Sequence, residues 1–286
     1  MARLTRIDAE LVRRGLARSR QHAAELIADG RVLLDGQAAT KPARQVDPAQ
    51  ALRVVATESG SDYVSRGARK LAGALDALGS QAPVVAGRRC LDAGASTGGF
   101  TDVLLRRGAA HVLAVDVGYG QLAWRLRNDS RVSVLERTNV RTLDATQVAP
   151  PVDLVVGDLS FISLTLVLPA LAGVAAPDAD LLLMVKPQFE VGRERLGSGG
   201  VVRDPALHID AVRTVARTAG SLGLDAWAVV PAPLPGPAGN VEYFLALRRG
   251  HPHALDDDAL LEAAERAVRT GPAGDGPRPV TEGSAP

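Results

Sequence analysis

Cys90-Leu91-Asp92-Ala93-Gly94-Ala95-Ser96-Thr97-Gly98-Gly99-Phe100-Thr101 runs from a short apolar segment through a cluster of glycines into a helical pattern, the order strand, tight loop, helix. Small residues let a backbone approach a bound ligand closely, amides at a helix start attract polar or anionic groups, and Asp92 suits a cationic one. The next apolar run, Val112-Leu113-Ala114-Val115, ends in Asp116. That is about twenty residues on, where an acid holds ribose hydroxyls in nucleotide-binding α/β folds. The spacing is not G-x-G-x-x-G: an acid opens it, and Ser96 stands where the dinucleotide fingerprint needs glycine, which points to a nucleoside cofactor other than NAD. Taken alone, such a loop is equally an ordinary strand-to-helix turn in an α/β core.

The chain has 286 residues, 46% hydrophobic and 23% charged, enough to bury a large core and to hold one large domain plus a small one. The abundance of alanine makes alanine periodicity a poor guide to helices. A single cysteine, Cys90, excludes an intrachain disulfide, and the five histidines have no ligand spacing, so no metal is expected. Residues 1–20 are rich in arginine but carry Asp8 and Glu10 and no continuous apolar core, unlike a secretory signal. The most apolar stretches, 164–176 and 181–185, are interrupted or flanked by Pro169, Pro177, Asp178 and Asp180 and are too short to span a bilayer. A cytoplasmic protein with no membrane partner is expected.

Net charge is only +1, yet residues 1–70 hold thirteen Lys and Arg against eight Asp and Glu, so the basic surplus lies at the N-terminus. There, apolar spacing predicts a helix over 6–15 that stops at Gly15 and a second over 19–30 that opens on Ser19 and stops at Gly30. A strand and turn over 31–37, a turn over 41–48 and a closing strand over 52–55 follow. Arg6, Arg13, Arg14 and Arg18 from the first part, and Arg20, Arg31, Lys41 and Arg44 from the second, would give one face the cations for RNA phosphates. Such contacts position a nucleic acid without reading its sequence. By charge pattern alone, a small α/β fold with a solvated basic face fits as well.

In the larger remainder, Leu71, Leu75 and Leu78 form the apolar face of a helix, and Lys70 adjoins it. Helices are expected over 100–107 and 121–127 and a strand over 131–135, followed by 138–141, the region where nucleoside-binding folds of this kind usually contact the adenine. Two further apolar runs end in charge: 152–157 in Asp158, and 181–185 in Lys186. A buried lysine without an acid is costly, so these two are expected to share a cleft at neighbouring strand ends. The glycine-rich segment 191–202, carrying Arg193 and Arg195, reads as a mobile loop over that cleft. A helix over 205–222, a strand over 224–230 and a Pro/Gly loop lead to a last strand from Gly239, where alternation turns Glu242 off the core face. Residues 256–269 suit a helix, and the Gly/Pro-rich end reads as disordered.

These blocks carry resemblances. Leu16-Ala17-Arg18-Ser19-Arg20, Leu26-Ile27 and Gly30-Arg31-Val32 resemble the S4 RNA-binding domain over residues 4–57. The acid-led glycine loop resembles the first motif of S-adenosylmethionine-dependent methyltransferases. Lys70, Asp158, Lys186 and Glu242, in that order, resemble the FtsJ-like ribose 2'-O-methyltransferases. With Ser65-Arg66-Gly67, Lys186-Pro187-Gln188-Phe189-Glu190 and Gly239-Asn240-Val241-Glu242, residues 4–249 resemble the TlyA family, also described as haemolysins. One departure is Ser61-Asp62-Tyr63-Val64, where that family's linker often carries tryptophan.

The resemblance implies an S4-like RNA-binding domain over 1–57, a linker over 58–64, a Rossmann-like class I S-adenosylmethionine-dependent α/β methyltransferase domain over 65–249, and a partly disordered extension over 250–286. It implies S-adenosylmethionine as cofactor, held by Asp92, Gly94, Ala95, Ser96 and Thr97, by Gly98, Gly99 and Phe100, and at the ribose by Asp116. It implies Lys70, Asp158, Lys186 and Glu242 as catalytic residues, with ribosomal RNA cytidines in ribosomal subunits as substrate. A ribose hydroxyl is a poor nucleophile, so Lys186 either takes its proton or stays charged and stabilises the developing alkoxide. Lys70 favours the first role, Asp158 and Glu242 the second. A non-catalytic ribosome-assembly factor, a haemolysin and a small-molecule O-methyltransferase are the competing readings.

Overall fold

The computed structural model describes residues 4–17, 20–28, 30–55, 63–236 and 239–272. Arg18, Ser19, most of the expected linker and the expected disordered end from 273 lie outside the described residues. The chain divides into two compact units, Met1–Arg66 and Gly67–Pro286.

The first unit packs helices Ile7–Arg13 and Arg20–Ala28 with a three-stranded antiparallel sheet, Gln37–Ala38, Val32–Leu34 and Leu52–Val54 in spatial order. Ile7 and Leu11, one helical turn apart, pack with Leu26, Ile27 and Val32 in one core. The first helix is shorter than its apolar spacing predicts because Thr5–Arg6 pairs instead with Gln45–Val46 as a two-stranded ladder.

The second unit is a seven-stranded sheet with helices. Its elements in chain order are α1 (Gly67–Leu78), β1 (Arg89–Ala93), α2 (Gly99–Arg106), β2 (His111–Val115), α3 (Trp124–Arg127), β3 (Val132–Leu135) and β4 (Val152–Gly157). Then come α4 (Leu164–Val174), β5 (Ala175–Val185), α5 (Pro187–Glu190), α6 (Pro205–Ser221), β6 (Asp225–Pro231), β7 (Tyr243–Arg248) and α7 (Asp257–Thr270). The spatial order is β6-β7-β5-β4-β1-β2-β3, and β7 alone runs against its neighbours. Parallel strands covered on both faces need continuous apolar runs. Cys90–Leu91, Val112–Val115 and Leu181–Val185 are such runs, each residue almost fully buried.

α3 and α7 also differ from expectation. α3 spans only its last turn, because the residues ahead of it close the glycine loop: the Ala123 amide donates to the Thr97 carbonyl at 3.2 Å. α7, capped by Asp256 Oδ1 on the Ala259 amide at 2.8 Å, buries Leu260, Ala264 and Val268 in the main core, so residues beyond 249 help to build the second unit.

Strand order reverses between β1 and β4, whose connections leave in opposite directions. In open α/β sheets the crevice beyond the strand ends at such a switch point is where ligands bind.

Candidate active site

The strand ends are in register: Ala93 pairs with Val115 and with Gly157, and Val115 with Leu135. One residue further along each strand stand Gly94, Asp116, Asp158 and Glu136. Asp92, inside β1, is fully buried; its Oδ2 accepts from the Thr101 amide at 2.8 Å and from Thr101 Oγ1 at 2.7 Å. It therefore caps the first turn of α2 with its own carboxylate. Its Oδ1 is buried without a hydrogen-bond partner, and burial pushes the group up to about 7.

Asp116 organises the glycine loop. Its Oδ2 accepts from the Ser96 amide at 2.8 Å and its Oδ1 from the Gly118 amide at 2.7 Å. Gly94 and Gly98 both have left-handed φ, 86° and 95°. A Cβ on Gly94 would lie 2.9 Å from the Asp158 carbonyl oxygen, and one on Gly98 2.3 Å from Leu126 Cδ1, so neither site has room for a side chain. Ala95, Ser96, Asp116, Gly118, Gln121 and Glu136 line an open cleft here. Phe100 is turned the other way and stacks on Phe244 in the core, with ring centroids 6.0 Å apart. Gly99 is likewise buried.

Gln121 and Glu136 are functional candidates that sequence reasoning missed, whereas 138–141 do not line this cleft. Glu136 follows a strand end as Asp116 does, so the same signal marks it. Two acids at adjacent strand ends, beside glycines that admit only backbone, suit a nucleoside carrying hydroxyls and an amino group.

The second cluster lies at the same end of the sheet. Leu183 pairs with Gly157 and Val185 with Tyr243, so Lys186 after β5, Asp158 after β4 and Glu242 before β7 occupy neighbouring positions. Lys186 Nζ is 2.6 Å from Asp158 Oδ1 and donates to Ser160 Oγ at 2.9 Å. Lys70, from the first turn of α1, makes a buried ion pair with Glu242. Only Asp158, with 24% of its side chain exposed, opens appreciably to solvent; the other three are 8% exposed or less. The structure thus brings all four expected charges to one end of the sheet, as two ion pairs.

Glu242 is buried because β7 begins only at Tyr243. The residues ahead of it form a closed loop, with the Gly236 amide on the Asn240 carbonyl at 2.7 Å and the Ala232 amide on the Glu242 carbonyl at 2.8 Å. α1 lies against this loop so closely that a Cβ on Gly73 would be 2.7 Å from Pro233 Cγ.

The segment expected to be a mobile loop is anchored at its end. Asn240 Oδ1 accepts from the Val202 amide at 3.2 Å and its Nδ2 donates to the Gly200 carbonyl at 3.1 Å. Buried His208 bonds the Val202 carbonyl through Nε2 at 3.0 Å and the Tyr243 hydroxyl through Nδ1 at 2.8 Å. Burial lowers the His208 pKa. Arg195 is held by Asp210 at 3.1 Å.

Comparison with known proteins agrees with this architecture. A family model described as FtsJ-like methyltransferase matches residues 63–249, and an S4 domain model matches residues 5–51. The chain belongs to the FtsJ-like methyltransferase family. Within that family it is 62% identical to the Mycobacterium tuberculosis protein named 16S/23S rRNA (cytidine-2'-O)-methyltransferase TlyA, over 95% of this chain and 100% of that one. It is 34% identical to Hemolysin A of Brachyspira hyodysenteriae, over 83% of this chain and 97% of that one. A solved hemolysin-named structure from Streptococcus thermophilus superposes with a TM-score of 0.72 at 34% identity, covering 93% of this chain and 96% of its own. Among the described residues of this FtsJ-like chain, no helix is long and apolar enough to cross a membrane.

Four of the arginines expected to meet RNA are held by two buried acids in the first unit. Asp8 pairs with Arg6 at 2.9 Å and Arg20 at 3.1 Å; Glu10 pairs with Arg13 at 2.6 Å and Arg14 at 2.7 Å. The Arg13 hydrogen bond, with Arg14 beside it, holds Glu10 at about 2. Arg14 also donates to the Pro48 and Gln50 carbonyls, which makes it the most structural of the set. Arg31 donates to the Val55 carbonyl at 3.0 Å, while Lys41 and Arg44 are exposed.

Proposed function

We propose that this protein transfers a methyl group from S-adenosylmethionine to the ribose 2'-hydroxyl of a cytidine in ribosomal RNA, in the cytoplasm where ribosomal subunits are assembled. The observation that carries the reading is the two ion pairs, Lys186 with Asp158 and the buried Lys70 with Glu242, on the sheet end that also bears the acid-lined glycine cleft. The 62% identical relative is named for this reaction.

The cleft suits the cofactor. Asp116 and Glu136 would take the nucleoside, and Gly94 and Gly98 let the loop close tightly on the Asp158 carbonyl and on Leu126 beneath it. When bound, S-adenosylmethionine supplies a methyl group already activated on a sulfonium. The protein must then align the hydroxyl with it and manage the hydroxyl proton and the charge that develops on oxygen. An ammonium has three N–H donors. Lys186 gives one to Ser160 and stands 2.6 Å from the Asp158 carboxylate, and a further one is left for the 2'-oxygen. In this role Lys186 stabilises the oxygen as its proton passes to solvent, and Lys70 and Glu242 hold the neighbouring wall. The exposed guanidinium edges of Arg6, Arg13 and Arg20, with Lys41 and Arg44, would bind RNA phosphates and set the position of the target.

Incubation with labelled S-adenosylmethionine and separated small subunits, large subunits or free ribosomal RNA, followed by mapping of 2'-O-methylated nucleotides, tests this. Transfer to cytidine is expected, falling about 10²–10⁴-fold in Lys186→Ala. Tight RNA binding without transfer to any of these RNAs would replace the enzyme by a non-catalytic RNA-binding factor.

A further inference from the structure

Ser160, two residues beyond Asp158, is a hydroxyl placed on Lys186 by a segment tied down at both ends. Its Oγ accepts from Lys186 Nζ at 2.9 Å. The next residue, Phe161, has φ 65°, a left-handed conformation that is costly for an aromatic side chain, and it is 92% exposed, so its own burial does not account for that backbone. The turn it makes leads directly to the start of α4, where Ser163 Oγ accepts from the Thr165 amide at 3.1 Å. There the segment is clamped by Glu190, which accepts from Ser163 Oγ at 2.5 Å and from the Leu164 amide at 2.8 Å. Glu190 lies four residues past Lys186, at the end of α5. One stretch of chain therefore holds this segment twice, through the Lys186 head and through the Glu190 carboxylate.

A single carboxylate contact leaves an ammonium free to rotate about its Cε–Nζ bond. Two acceptors at fixed positions leave one direction for the remaining N–H. We propose that Ser160 is a positioning residue for methyl transfer, its hydroxyl oxygen taking one N–H of Lys186 beside the Asp158 carboxylate so that another is aimed at the 2'-oxygen. This rests on the methyltransferase reading above, in which Lys186 touches the substrate. Because Ser160 is exposed whereas Lys186 is 6% exposed, the serine lies on the solvent side of the lysine, and changing it leaves the Lys186–Asp158 ion pair in place.

The test compares wild type, Ser160→Ala, Ser160→Thr and Lys186→Ala with labelled S-adenosylmethionine and the RNA substrate, measuring kcat and KM for each. Ser160→Ala is expected to lower kcat about tenfold, the scale of one hydrogen bond to a charged group, with KM for cofactor and RNA within about twofold. Ser160→Thr, which keeps the hydroxyl, is expected to restore most of kcat. Wild-type kcat in Ser160→Ala, with Lys186→Ala inactive, would overturn this inference and leave the parent reading intact. Equal impairment in the alanine and threonine variants would also overturn it, since shape rather than the hydroxyl would then matter. Full activity in Lys186→Ala would remove the reading itself.

Discussion

Two regions of this molecule pair the same charges in opposite ways. In the first unit the acids are buried and the bases face outward: Glu10 has no exposed side chain, while Arg13 keeps 62% of its side chain in solvent. At the end of the large sheet the Lys70–Glu242 pair is withdrawn on both sides, Lys70 at 8% and Glu242 at 3% exposed. A buried carboxylate under an exposed guanidinium fixes where the cation stands and leaves its outer donors for a partner. Two buried opposite charges instead make a local field in a medium that screens it weakly, which suits charge that develops during a reaction.

The largest effects are expected where both partners are buried. Lys70→Met leaves Glu242 uncompensated and should cost about 3–5 kcal/mol in thermal or denaturant unfolding, along with methyl transfer. Combining it with Glu242→Leu should return most of that stability and none of the activity. If the double variant is active, the pair is structural and the contrast between the two regions fails.

Next in size is Gly98→Ala, which demands a left-handed alanine against Leu126. A loss of about 1–3 kcal/mol is expected, with weaker S-adenosylmethionine binding by calorimetry.

The pH response should separate the regions by sign. Glu10, held at about 2, stabilises the fold above its ordinary range, and that contribution is lost as pH falls from about 4.5 towards 2. Asp92, raised to about 7 by burial, acts in reverse: the fold favours its neutral form, so its term is most favourable below about pH 4, weakens as pH rises to 7 and is constant above. Unfolding measured from pH 3 to 8 should show Glu10→Gln flattening the acid limb and Asp92→Asn removing a decline between 4 and 7.

The smallest effect is expected at the exposed cations. Lys41→Ala should weaken RNA binding a few-fold and lower the salt dependence by about one charge, with kcat unchanged at saturating RNA.

The parallel strands were legible because each buried run ends in a charge at the same place: Val115 before Asp116, Gly157 before Asp158, Val185 before Lys186. β3 hid its acid, since Ser133 interrupts the run and the strand is only half-buried, so Glu136 did not stand out. The Lys70–Glu242 pair was visible only as a resemblance. It joins a helix to a loop by contacts no local period encodes, and a strand start shifted from 239 to 243 makes an alternation argument put Glu242 on the wrong side. Glycines at 197, 199 and 200 suggested mobility, but their count says nothing about Asn240 and His208, which hold the end of that segment from distant positions.

Lys70 and Glu242 are 172 positions apart, and their contact has a temporal meaning during synthesis. The strands that build the acid-lined cleft and the Lys186–Asp158 pair all lie ahead of residue 187, whereas the reversed strand that brings in Glu242 follows far downstream. A nascent chain can therefore present the cleft and three of the four charges while the fourth has yet to leave the ribosome. Contacts of such long separation are slow to close. The last of the four charges to be made is also the one that reaches furthest back along the polypeptide.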